Sequence, residues 1–171
     1  NPDREDWNDL KRLCRHLQHH PRGLQVFRRQ YGIRNIDVWV DTDFEGSVKT
    51  RKSTSGGIVM FGDSEIKAWS NTQKCIALSS GEAEYDGIVR GSAMGIGIRN
   101  MFEDLGVSVG IVVRTDASVA KCAASRRGAG MIRHIEVAQL WVQANVPTRC
   151  IKLINVSTNE NVPDALTKHV P

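Results

Sequence analysis

Residues 36–70 read IDVWVDTDFEGSVKTRKSTSGGIVMFGDSEIKAWS, and the fold turns on this stretch. Ile36, Val38 and Val40 alternate with Asp37, Trp39 and Asp41, the period-two pattern of a half-buried strand. A polar, basic segment, GSVKTRKSTSGG, separates that strand from a second at 57–61, GIVMF. Gly62-Asp63-Ser64 is a turn, and EIKAWS at 65–70 predicts a third strand. So short a turn makes the second and third strands an antiparallel hairpin.

Downstream the period changes. Ser79-Ser80-Gly81-Glu82 matches a capping box and opens a helix that runs to about Leu105. Gly87, Gly91, Gly95 and Gly97 lie inside it, each costing about 1 kcal/mol relative to alanine. Close packing against the sheet or another helix would account for them. IVVRT at 111–115 predicts a fourth strand, 117–124 a short helix, and 133–146 another helix. CIKLINV at 150–156 predicts a fifth strand and 163–169 a last helix. Three consecutive strands followed by alternating helices and strands predict an α/β fold with a five-stranded mixed sheet flanked by helices.

Upstream, residues 4–18 form an amphipathic helix pattern, with Trp7, Leu10, Leu13, Cys14 and Leu17 at helical spacing. Pro21-Arg22-Gly23 ends it, and RGLQVFRRQYGIRN is a basic connector. The boundary is placed near Gly32, giving 1–32 as helix and connector and 33–171 as the main domain. A hydrophobic fraction of 40% supports a real core. No apolar run approaches membrane-spanning length, no signal peptide is expected, and the polar start NPDREDW reads like a fragment of something longer. Lys and Arg number 23 against 19 Asp and Glu, a net charge of +4 that favours a polyanionic partner but also fits an ordinary solvated surface. Cys14, Cys75, Cys122 and Cys150 form no CxxC pair and no zinc spacing, which predicts free thiols in a reducing compartment.

Four carboxylates stand at the edges of these elements: Asp41 in VWVDTDFEG, Glu84 in LSSGEAEY, Asp116 in VVRTDAS and Asp164 in NVPDALTK. Singly, each has an ordinary explanation. Asp41 suits a strand terminus, Asp116 a helix cap, and Asp164 the start of a helix. Glu82 is the reciprocal partner of the Ser79 cap, which leaves Glu84 with no structural reason to be acidic. Together they predict a cation, because clustered carboxylates repel one another and hard oxygen ligands suit Mg²⁺ or Mn²⁺.

VWVDTDFEGSVKTRKSTSGGIVMFG, AWSNTQKCIALSSGEAEY, VVRTDASVA, RHIEVAQLWVQ and NVPDALTKHVP resemble the ribonuclease H domain of copia-type LTR retrotransposon polyproteins. The resemblance covers about residues 36–171, and DWNDLKRLCRHLQHHP resembles the end of the preceding reverse transcriptase. It implies an RNase H-like fold and hydrolysis of the RNA strand of RNA–DNA hybrids by an endonuclease using two Mg²⁺ ions, with Mn²⁺ as an alternative. Asp41, Glu84, Asp116 and Asp164 are then the catalytic metal ligands. It also implies a reverse transcriptase domain of the same polyprotein as partner, no membrane, and a cytoplasmic retroelement particle, with the nucleus as an alternative location. Phe44, Gly81 and Pro163 stand where tryptophan, threonine and alanine are common, but no acid is lost. The loop Ser157-Thr158-Asn159-Glu160-Asn161 lacks the histidine that many cellular ribonucleases H carry there. His134 is an accessory candidate, with a packed or capping role as the plainer reading.

For the substrate, Lys49, Arg51 and Lys52 form a basic loop suited to phosphates, as do Arg126 and Arg127, and a solvated charge run explains each equally well. Ser79 and Ser80, with Thr72 and Gln73, are candidates for contacts that distinguish RNA, or simply turn and capping residues. A catalytically silent RNase H-fold module that braces a reverse transcriptase is the rival reading. A transposase or integrase would order its acids Asp, Asp, Glu, and here glutamate comes second.

Overall fold

β1 (Asn35–Asp43) is the middle strand of a five-stranded sheet of order β3-β2-β1-β4-β5. This computed structural model describes residues 2–46, 50–125, 141–146, 148 and 150–167. β2 (Thr54–Phe61) pairs antiparallel with β1, and β3 (Ser64–Thr72) antiparallel with β2. On the other side β4 (Gly110–Thr115) runs parallel to β1, and β5 (Lys152–Asn155) parallel to β4. The sheet is mixed, as expected from three meandering strands followed by crossovers. Apolar patterning shows only part of the strands. β1 continues past Asp41 to Asp43, and β2 begins at Thr54, because the polar pairs Thr42↔Ser55 and Asp43↔Thr54 extend the ladder.

α2 (Ser80–Asp104) crosses one face of the sheet and links β3 to β4. Three of its four expected close-packing glycines explain how. A Cβ at Gly87 would meet Thr42 Oγ1 at 2.7 Å, and one at Gly95 would meet Ile111 Cγ2 at 2.9 Å. One at Gly91 would collide with Val40 Cγ1. Gly97 is the exception, with nothing within 4 Å. The helix therefore lies almost on the backbone of β1 and β4, over a core that includes Ile36, Val38, Val40, Tyr85, Ile88 and Val113.

α3 (Ser118–Ser125) packs beside α2, and α4 (Trp141–Asn145) touches α3. Residues 126–140 lie outside the described residues, so most of the helix expected over 133–146 does too. A 3-10 turn at Thr158–Glu160 precedes α5 (Asp164–Thr167), which packs on β1, β2 and β3. Side chains alternate along β1, so Thr42 faces α2 and Asp41 faces α5.

α1 (Arg4–His19) forms where expected, capped by Asp3, whose carboxylate accepts from the backbone of Glu5 and Asp6. It has no buried residue: Trp7, Leu10, Leu13 and Leu17 are all exposed. The connector reaches the β2–β3 hairpin. Gln30 Nε2 donates to Ser64 Oγ at 2.9 Å, and the Asp63 N–H donates to Gln30 Oε1 at 2.7 Å. The hairpin turns in two residues, and Gly62 at φ +58° supplies the left-handed conformation that such a turn requires. Among the described residues no helix is long and apolar enough to cross a membrane.

Candidate metal centre

The parallel register of β1 and β4 brings two acids together. Trp39 is level with Arg114, so two residues further along each chain Asp41 is level with Asp116. Neighbouring strands lie about 4.8 Å apart, which sets the scale of the gap. Glu84 arrives from α2, just past its first turn. Asp41, Glu84 and Asp116 each offer a carboxylate oxygen, and these atoms lie within 4.8 Å of one another. Asp41 is buried, and the other two are half-buried. Three hard oxygen donors at this spacing fit Mg²⁺ or Mn²⁺.

Two devices place Glu84. Ser79 Oγ accepts from the Glu82 N–H at 3.2 Å, capping α2 as predicted. The return bond differs from expectation: Glu82 Oε2 accepts from the N–H of Leu78, not of Ser79, at 2.9 Å. The second device is a buried polar cluster behind the site. Gln73 Nε2 donates to Ser55 Oγ at 2.7 Å and to the Ala83 carbonyl at 2.8 Å, and Ser55 Oγ lies 3.4 Å from Thr42 Oγ1. Gln73 is 5% exposed and ties the first turn of α2 to the sheet, so its side chain is committed inside the protein.

The C-terminal segment holds the other two acids. Asp116 Oδ2 accepts from Thr158 Oγ1 at 2.9 Å. Asp41 Oδ1 accepts from Asn161 Nδ2 at 3.0 Å, and Asp41 Oδ2 accepts from Thr167 Oγ1. Asp164 opens α5 between these two donors and stands outside the group of three. Sequence reasoning missed Asn161 and Thr167. They lie 120 and 126 positions from Asp41, and no spacing rule links residues so far apart.

No protein-family model matches the chain. It is 31% identical over 173 residues to the retrovirus-related Pol polyprotein of transposon TNT 1-94 from Nicotiana tabacum, a match covering all of this chain and 13% of that protein. It is 26% identical over 170 residues to the Pol polyprotein of transposon RE2 from Arabidopsis thaliana, covering 98% of this chain and 12% of that one. The chain therefore spans about an eighth of the length of these relatives. The N-terminal RNase H domain of Rv2228c from Mycobacterium tuberculosis superposes with a TM-score of 0.54 at 17% identity, over 80% of this chain and 91% of that one. LC11-RNase H1, solved in complex with an RNA/DNA hybrid, gives 0.53 at 14%, over 77% and 93%. The chain is similar to a part of these Pol polyproteins and has the RNase H fold.

The remaining predicted site residues are scattered. Arg51 is exposed, adopts φ +57° and pairs with Glu45 at 3.1 Å. Lys52 is half-buried, Ser79 is occupied as the cap, and Ser80 is exposed at the start of α2. Lys49, Arg126, Arg127 and His134 lie outside the described residues. All four cysteines are free and exposed, as their spacing predicts.

Proposed function

We propose that this protein is a ribonuclease H that cuts the RNA strand of RNA–DNA hybrids during reverse transcription of a retroelement. The observation that carries this reading is the convergence of Asp41, Glu84 and Asp116 from three separate elements of an RNase H fold. Asp41, on the central strand, would help to hold both divalent ions. Glu84 and Asp116 would hold the ion on the leaving-group side, and Asp164 would help to hold the other. Bound there, Mg²⁺ or Mn²⁺ would make a water nucleophilic and stabilise the leaving 3′ oxygen in an in-line displacement. The chain's own part is to hold these carboxylates in place before substrate arrives.

An RNA–DNA hybrid as substrate is supported by LC11-RNase H1, which carries this fold with an RNA/DNA hybrid bound. Lys49, Arg51 and Lys52 would neutralise phosphates, with Arg51 leaving Glu45 to do so, and exposed Ser80 would meet the backbone. Residues 1–32 would belong to the end of a reverse transcriptase, whose surface would cover the apolar stripe Trp7, Leu10, Leu13 and Leu17. Prototype foamy virus protease–reverse transcriptase also superposes, with a TM-score of 0.54 at 10% identity, over 85% of this chain and 22% of that one. The setting would be a cytoplasmic retroelement particle.

Incubating the chain with labelled hybrid, with and without Mg²⁺, tests the reading. Mg²⁺-dependent cutting of the RNA strand is expected, and Asp41→Asn should fall to background with an unchanged circular dichroism spectrum. A folded, Mg²⁺-binding wild type that never cuts would favour the bracing module. Near-normal cutting by the variant would remove Asp41 from the mechanism.

A further inference from the structure

Asp41 is gripped by two residues outside the ligand set. Asn161 and Thr167 are 4% and 7% exposed. The Asn161 amide has acceptors on one side, Asp41 Oδ1 at 3.0 Å and the Val40 carbonyl at 3.4 Å. Both demand donors, so the NH₂ group faces them and Oδ1 turns away. That oxygen is buried without a hydrogen-bond partner in the protein. Thr167 Oγ1 has one proton and two acceptors, Asp41 Oδ2 and the Asp164 carbonyl. The carboxylate is the stronger acceptor and takes it.

The seat for Thr167 is built into the sheet. Gly56 is the register partner of Asp41 on β2. A Cβ there would lie 2.7 Å from Thr167 Cγ2 and 3.1 Å from Leu166 Cβ. Glycine therefore lets α5 lie flat against the strand pair. Ser70 Oγ of β3 donates to the Leu166 carbonyl at 2.6 Å and pins the helix there.

We propose that Asn161 and Thr167 are positioning residues, a clasp that fixes the orientation of the Asp41 carboxylate and prepares the site for a divalent cation. This rests on the metal-dependent reading above. A carboxylate ligand held by second partners binds metal more tightly, because its orientation is settled beforehand. The buried Asn161 Oδ1 suits a site that receives a hydrated cation, since the ion's waters bring donors to an acceptor the protein leaves open.

The test is Mg²⁺ affinity measured by calorimetry on the substrate-free chain, with melting curves and hybrid cleavage alongside. Thr167→Val keeps shape and loses the donor, Thr167→Ser restores it, and Asn161→Ala removes the other half of the clasp. Thr167→Val and Asn161→Ala should each weaken Mg²⁺ binding about tenfold or more, and Thr167→Ser should stay within about twofold of wild type. Gly56→Ala should weaken it as well, by displacing Thr167. If the valine and alanine variants melt lower yet bind Mg²⁺ as wild type does, the two residues only pack and the clasp is overturned. A wild type that binds no Mg²⁺ overturns the clasp and the proposed function together. Clasp variants that lose affinity beside a wild type that binds but never cuts hybrid would uphold the clasp and reject only the nuclease.

Discussion

Tyr85 follows Glu84 in α2 and is fully enclosed in the core. Burial pushes its phenol pKa above the ordinary 10.0. The folded state therefore holds this proton more tightly than the unfolded state. The resulting stability is complete below pH 10 and is lost as pH rises through the higher folded value. Tyr85→Phe has no such proton. Wild type should lose stability faster than the variant above pH 10, by urea unfolding across a pH series. Parallel curves would mean the phenol is not desolvated. Single residues also show where sequence reading stopped. Glu82 reads as the reciprocal partner of the Ser79 cap, but its carboxylate accepts from the N–H of Leu78, one residue further back. Gln73 reads as a candidate contact to RNA or a turn residue, and only the fold reveals it as an internal tie.

α2 carries the contrast between glycines at the scale of one element. Gly91 and Gly97 look alike in the sequence, both inside the same helix. Gly97 is exposed and open, so Gly97→Ala should stabilise the protein by up to about 1 kcal/mol through helix propensity. At Gly91 the new methyl would meet Val40, a stiff β-branched chain in the middle of the sheet. Gly91→Ala should cost about 1–3 kcal/mol by overpacking. Thermal or urea unfolding of the two variants reads the opposite signs. Equal effects would mean α2 does not lie on β1 as described. The helix itself was legible from its cap and length. Gly87, Gly91 and Gly95, four residues apart, mark the face that touches the sheet, and only the structure shows that Gly97 lies off it.

For the whole molecule, the acids should couple folding to metal. Asp41, Glu84 and Asp116 repel one another without a cation, which weakens the folded state. Mg²⁺ that binds only the folded chain should raise the melting temperature with concentration, by about 2.7 kcal/mol at a hundredfold excess over Kd. The quadruple variant Asp41→Asn, Glu84→Gln, Asp116→Asn, Asp164→Asn should be indifferent to Mg²⁺. An equal response from both proteins would place the bound ion elsewhere.

The amino-acid sequence by itself determined the hairpin of β2 and β3, the order of strands and helices among the described residues and the Ser79 cap of α2, and it offered four candidate acids. Those are local signals: alternation, turn chemistry and capping act within a few residues. Only the tertiary structure decided which acids meet. The parallel register of β1 and β4 sets Asp41 beside Asp116. α2 reaches Glu84 into that gap because its glycines let it lie on the strands. α5 returns to grip Asp41 through Thr167, with Asp164 left outside the group of three. Contacts between residues more than a hundred positions apart depend on packing and register, and neither leaves a periodic trace along the chain.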